Sequence, residues 1–293
     1  MAEIDALRIQ EYSDNLILKS QQIMPKLAMY CEEEQASGKA YRMRSTVSKT
    51  DMVELTTSAT PAMNVDIEHG GRWVYPRNLA WGKVVDDIDL LQTNINPTGA
   101  YVKSAVAASN RNDDDLFISA FFGTAKTDET GSTSTSFDSS NQIAAGAAGL
   151  TISKMRDALK ILGDNDVDLD FEEVYMGVAP YQYDELLALT EVISTDFNLS
   201  EQQKPVLMEG KVVRFLGINI IRSTRLTVDS SDDRRIPVWV KSGMGKGIWS
   251  PLTGNIRTRP DLQGDPAYVE ASKMVGYTRL DEDKCVEIKC VES

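Results

Sequence analysis

Asn96-Pro97 opens, and Leu116-Phe117-Ile118-Ser119-Ala120-Phe121-Phe122-Gly123 closes, the stretch on which the reading of this chain turns. Asn can cap the free N–H groups of a first helical turn, and Pro is tolerated at the first helical position. Gly123 is the natural stop. Val102, Val106, Leu116, Phe117, Ala120 and Phe121 supply an apolar side. A helix over 97–122 would be about 40 Å long, far beyond the usual globular helix.

On its N-terminal side, residues 41–85 are rich in Thr, Val and Ser and punctuated by Thr60-Pro61 and His69-Gly70-Gly71. Strand-like residues with too few apolar positions for a core predict a long hairpin lying away from its own domain; a surface loop is the alternative. Residues 1–40 read as an extended arm with some helix, interrupted by Pro25, and apolar at Ile17, Leu18, Ile23, Met24, Leu27 and Met29. Such an arm needs a neighbour to cover it. Glu32-Glu33-Glu34 is expected to be a solvated turn.

On the C-terminal side, Gly131–Ser136 and Ala144–Gly149 are low in complexity and predict a loop joining two lobes. From Thr151 the pattern is mixed α/β. Thr151 caps a helix that Gly163 ends, Phe171–Ala179 reads as a strand, and Pro180 starts a second helix. Lys211–Ser223, Val238–Val240, Ala267–Leu280 and Cys285–Val291 read as strands.

The chain has 293 residues and a net charge of −13. A protein that grips nucleic acid through phosphates usually shows a basic face, so this charge argues against DNA binding as the main task. It suits a container wall that should not adhere to DNA. No run approaches the roughly 20 apolar residues of a membrane helix. Met1–Asp5 places acids where a secretion signal has bases, which implies a cytoplasmic product. Cys285 and Cys290 fall on opposite faces of one strand, about 16 Å apart, so they cannot bridge. With Cys31 they read as reduced structural thiols.

The chemical inventory is thin. His69 is the only histidine, which leaves a His-dependent triad or a multi-His metal site without support. Gly243-Met244-Gly245-Lys246-Gly247 lacks the spacing of a phosphate loop and reads as a turn. Asp113-Asp114-Asp115 point about 100° apart on a helix and cannot converge on one ion; they read as a solvated or interface-facing side. Asp164-Asn165-Asp166-Val167-Asp168 lacks the glycine and glutamate of a calcium loop and reads as a helix exit. No catalytic, metal-binding or cofactor-binding residue is assigned.

The order of parts resembles the major capsid proteins of tailed bacteriophages, the Hong Kong 97-type fold. The residues that carry it are Gly71-Arg72-Trp73-Val74, Ala80-Trp81-Gly82-Lys83-Val84-Val85-Asp86-Asp87-Ile88-Asp89, the helix with its exit Phe121-Phe122-Gly123-Thr124-Ala125, Leu150–Met155, Gly210–Ser223, Val275–Leu280 and Val286–Ile288. The resemblance covers roughly 40–293. It implies an α+β fold with an N-terminal arm at 1–40 and an extended hairpin at 41–85. A peripheral domain at 86–150 and 251–293 would hold the spine helix 97–122, and an axial α/β domain would span 151–250.

It further implies self-assembly into hexamers and pentamers of an icosahedral shell, a virion component assembled in the host bacterial cytoplasm. The shell would enclose double-stranded DNA without sequence-specific binding. A separate scaffolding protein, a portal protein and a decoration protein are the implied partners, with no membrane and no cofactor. Inter-subunit contacts would come from Glu68, His69, Arg72 and Arg77 on the hairpin and from Ile17, Leu18, Ile23 and Leu27 on the arm. The spine helix would contribute Val102, Val106, Asp114, Asp115, Leu116 and Phe121.

Two departures matter. The cleaved N-terminal scaffolding region of the founding member has no counterpart here, so no removed pro-region is expected. Residues 51–81 contain no lysine, so the isopeptide cross-link of some relatives is not expected, and charge pairs are the alternative. Other readings are a cellular encapsulin-like cargo shell, a decoration or tail protein, and a hydrolase using Asp86, Asp87 or Glu173.

Overall fold

The computed structural model describes residues 21–47, 50, 52, 54, 67, 69–85, 98–189, 207–208, 211–262 and 265–292. It is a mixed α+β protein. The arm residues Ile17 and Leu18, hairpin residue Glu68 and the opening Asn96-Pro97 lie outside the described residues, as do Asp86 and Asp87. By its contacts the chain forms two units. One comprises Met1–Met24, Asn78–Asn112 and Ser250–Met274, the other Pro25–Arg77, Asp113–Trp249 and Val275–Ser293.

The larger unit is organised by a six-stranded mixed sheet. Its strands are β7 (Gln142–Ile143), β8 (Val174–Val178), β11 (Arg214–Phe215), β12 (Ile218–Arg222), β13 (Arg234–Val240) and β16 (Cys285–Cys290), in the order β11-β12-β8-β13-β16-β7. β8 is buried at every position, as a strand covered on both faces must be.

Alternation along β13 separates the two covers. Ile236, Val238 and Val240 join a core with Met155, Ala158 and Leu162 of helix α2 (Ile152–Asp164) and with Tyr183 and Leu186 of helix α3 (Pro180–Ala188). Trp239 faces the other way, into a core of Leu27, Ala28, Cys31, Phe117, Phe121, Tyr175 and Cys285. Phe117 and Phe121 belong to helix α1 (Thr98–Phe122). The Phe117 and Trp239 rings are 5.0 Å apart, within the range where tilted aromatic pairs attract.

Several expectations are corrected. Glu32-Glu33-Glu34 is not a solvated turn: it forms β1 (Glu32–Gln35), parallel to the start of β14 (Met244–Thr258). Ion pairs from Glu32 to Arg44 and from Glu33 to Lys246 answer its charge. Of the Gly243–Gly247 segment, Gly243 does close a short 3-10 turn after β13, but Met244–Gly247 already belong to β14. Gly245 is there because a Cβ would meet the Met43 sulfur at 2.5 Å.

Helix α2 does not stop at Gly163. It runs to Asp164, and the left-handed residue that turns the chain is Asp166, φ 59°, a position acidic and amide residues tolerate. Lys211–Ser223 is not one strand but β10 (Lys211–Val212), β11 and β12, with Leu216 and Gly217 at positive φ reversing the chain.

Ala144–Gly149 is ordered by a buried cation. Lys154 Nζ donates to the carbonyls of Ala145, Ala148, Gly149 and Lys289 at 2.7–2.9 Å. These residues have almost no side chain to bury, so one ammonium replaces an apolar anchor. Arg279 acts likewise at the end of α1. It is fully buried and donates to the carbonyls of Ala120, Phe121 and Gly123, and to Glu282. Those carbonyls have no partner within the helix, and a cation there also suits the helix dipole.

In the smaller unit, β15 (Ala267–Arg279) lies between β14 and β4 (Arg77–Val85). Gly82 is required there, since a Cβ would fall 2.0 Å from the Tyr268 hydroxyl. Lys273 is buried and donates to the Ser109 carbonyl at 2.6 Å.

Two predictions follow from the buried groups. Lys154→Met removes the ammonium that four carbonyls share, of which those of Ala145 and Ala148 keep a backbone N–H partner, and should cost about 2–3 kcal/mol, read as a lower urea midpoint; an unchanged midpoint would contradict the anchoring role. All three cysteines are free and buried, and burial pushes the Cys31 and Cys290 thiols up to about 12. The thiolate is the reactive form, so a thiol reagent at pH 8 should find none of the three in native protein and all three in denaturant.

Candidate assembly surfaces

The three consecutive acids of α1 point to three different places. Asp114 is fully buried and accepts the backbone N–H groups of Lys26, Leu27 and Ala28 at 3.0–3.1 Å. Asp115 is bonded to Arg225, whose Nε lies 2.8 Å away. Asp113 faces the Tyr277 hydroxyl. Burial, and then the charge of Asp113, push that hydroxyl's pKa above its ordinary value. The helical step of about 100° that forbids convergence on one ion here binds one helix to three separate segments.

Asp114 is thus neither solvated nor free for a neighbour. Phe121 is core, and Leu116 is half-buried. Val102 and Val106 are more than a third exposed, so the apolar side expected of α1 is only partly covered within this chain.

Of the arm residues, Leu27 is fully buried in its own subunit, while Ile23 is 62% exposed. The Ile23 carbonyl accepts a bond from Asn110 at 2.6 Å. Leu27, Ala28 and Cys31 pack beside Trp239, whose indole N–H donates to the Tyr30 carbonyl at 2.7 Å.

The hairpin is β2 (Tyr41–Val47) antiparallel to β3 (His69–Val74), from Tyr41 opposite Val74 to Val47 opposite His69. His69 is exposed. Arg72 reaches Glu282 of its own chain at 3.5 Å. Glu282 also holds Arg279, so the hairpin's base is linked through one carboxylate to the end of α1. Burial, partly offset by Arg279, raises the Glu282 pKa. Arg77 is exposed and lies at a groove of about 560 Å³ lined by Trp73, Tyr75, Leu116, Lys126 and Tyr277.

A larger open groove, about 970 Å³, collects Glu32, Glu33, Glu34, Glu172 and Glu173 with exposed Met29 and Phe171. Its carboxylates do not converge on a reacting position. Glu34 and Glu173 accept the hydroxyls of Tyr41 and Tyr175. Glu172 is held by Lys284 and Ser242; burial works to raise its pKa, but these bonds outweigh it and the pKa is lowered. Among the described residues no group of three or more His, Cys, Asp or Glu is placed to hold a metal ion, and no helix is long and apolar enough to cross a membrane.

The sequence matches the phage capsid protein family over residues 4–292. The chain belongs to the phage capsid protein family. The fold of this capsid protein is also that of solved capsids. The capsid structure of the cyanophage P-SCSP1u aligns with TM-score 0.73 at 16% identity, covering 99% of this chain and 95% of that one. The capsid of cyanophage Pam1 aligns with TM-score 0.74 at 10% identity, covering 99% of each. The capsid of the native GTA particle aligns with TM-score 0.67 at 14% identity, covering 99% of this chain and 98% of that one. Among proteins of curated function, none matches this sequence significantly. The capsid protein is a phage shell protein, and the cargo-shell and hydrolase readings are not favoured.

Sequence reasoning missed Arg279, Lys154 and Lys273, since a lone cation in a run says nothing of the carbonyls it will meet. Asp114→Asn in the capsid protein should destabilise it by about 3 kcal/mol, because an amide cannot accept three backbone donors as a carboxylate does. Hydrogen exchange at residues 26–31 should rise; exchange as slow as in the parent would show that Asp114 does not hold this turn.

Proposed function

We propose that this capsid protein is the major shell subunit of a tailed phage, closing as hexamers and pentamers around double-stranded DNA inside the host cytoplasm. A separate scaffolding protein would direct assembly, with a portal protein at one vertex and a decoration protein on the outside. The axial domain, residues 151–250, would face the capsomer centre, the hairpin would lie on an adjacent subunit, and the part of the arm over residues 1–20 would clasp another. Packaging of DNA would then turn and flatten the subunits.

The observation that carries this reading is surface left uncovered by the chain's own fold. In β14, residues 251–258 are exposed one after another, with Ile256 53% exposed. A strand exposed on both faces gains little from its own core and much from a neighbour. Symmetry then repeats each modest contact over every subunit.

The test is electron microscopy of the full chain, expressed alone and with its candidate scaffold. Closed shells, or rings of six and five, are expected; a monodisperse monomer under both conditions rejects the reading. A truncation should stop at residue 20, because Leu27 and Cys31 are core. The shortened chain should fold and yield shells that open at lower denaturant; shells as resistant as the parent's would remove the clasp.

A further inference from the structure

The 970 Å³ groove follows the edge of a strand. Its lining takes in Glu32, Glu33 and Glu34 together. Successive side chains of a strand point to opposite faces, so a groove that touches all three runs along the edge of β1 and not over one of its faces. β1 ends the order β1-β14-β15-β4, and among the described residues its one strand partner is β14. The outer edge of such a strand is a row of N–H and C=O groups ready to receive another strand.

Large apolar side chains stand beside this edge without cover. Phe171 is 88% exposed and Met29 51% exposed, and both line the groove. The charge around them is mostly of one sign. Asp168–Glu173, the segment that carries Phe171, holds four acids and no base. Glu32, Glu33 and Glu172 have their cations in Arg44, Lys246 and Lys284. Glu34 and Glu173 hold only the hydroxyls of Tyr41 and Tyr175 among the described residues, and Lys241 is the one cation on the lining.

That charge selects the occupant. The stretches 1–20, 48–68, 86–97 and 190–206 of this chain each carry more acids than bases. Offered by a second copy, each would bring like charge to the groove, and like charges across a strand pair repel. We propose that the edge of β1 accepts a basic strand of a different protein, an extended segment in which Lys or Arg alternates with apolar residues. It adds to β1 along residues 32–35, sets its cations against Glu34 and Glu173, and covers Phe171 and Met29. Main-chain bonds give such a contact its affinity, and the alternating side chains its selectivity. The inference goes beyond the shell reading and does not depend on it.

The test is hydrogen exchange of the full-length capsid protein, alone and with a short synthetic peptide alternating Lys and Val. Exchange at residues 32–35 should slow several-fold when the peptide binds, and a peptide alternating Glu and Val should not bind. Phe171→Ser alters a side chain that lies outside the core and should weaken binding about tenfold, the loss of one covered aromatic ring. Glu34→Gln combined with Glu173→Gln should weaken binding and flatten its dependence on salt. A Lys–Val peptide that binds with residues 32–35 exchanging as before is only drawn to an acidic chain, and overturns the inference. So does equal binding of the Glu–Val peptide, or binding unchanged in Phe171→Ser. Exchange at 32–35 that is already slow in shells of the capsid protein alone also overturns it, since a second copy then fills the groove.

Discussion

One carboxylate without access to water organises the larger unit. A buried charge is tolerable only if its bonds replace those of water. Asp114 meets that condition with three backbone N–H groups from a turn far away in sequence. The bond therefore works in both directions. The helix needs the turn to answer the charge, and the turn needs the charge because its N–H groups are buried with it. Leu27 and Cys31 follow the turn into the core beside Trp239, so the second cover of the central sheet rests on this contact.

The neighbouring acids extend the logic along α1. Asp115 binds Arg225 at the surface, where about a third of each side chain is exposed and such a pair adds only about 0–1 kcal/mol. Asp113 lies against Tyr277 on β15. Three adjacent residues thus connect one helix to three parts of the chain. Arg279 completes the set at the helix end, and through Glu282 it reaches Arg72 in the hairpin. A change in the hairpin's angle would be felt first at that shared carboxylate.

Much of the architecture was legible in the sequence. The long helix ends at Phe122 as Gly123 announced, Pro180 begins α3, and the two last strands fall where alternation placed them. These are local signals. What was not legible depended on distant partners. Glu32-Glu33-Glu34 looks like a solvated run until Arg44 and Lys246 are brought to it. Gly245 looks like a turn residue until Met43 and Leu280 occupy the place that a Cβ would take. Asp114 is indistinguishable from its neighbours by composition, and only the helical phase decides which of the three is buried.

The same reasoning explains why weakly apolar segments of this chain can be ordered at all. Ala144–Gly149 offers little hydrophobic area and would gain little by collapse. Its carbonyls, however, converge, and Lys154 supplies a charge to meet them. Arg279 does so for the last turn of α1, and Lys273 for Ser109. Cations held by carbonyls are directional, so they specify one arrangement where a greasy contact would permit several. For a shell protein that must present the same surfaces in every copy, that specificity matters more than raw stability. It also accounts for a chain of strongly negative net charge placing the basic residues Lys154, Lys273 and Arg279 inside.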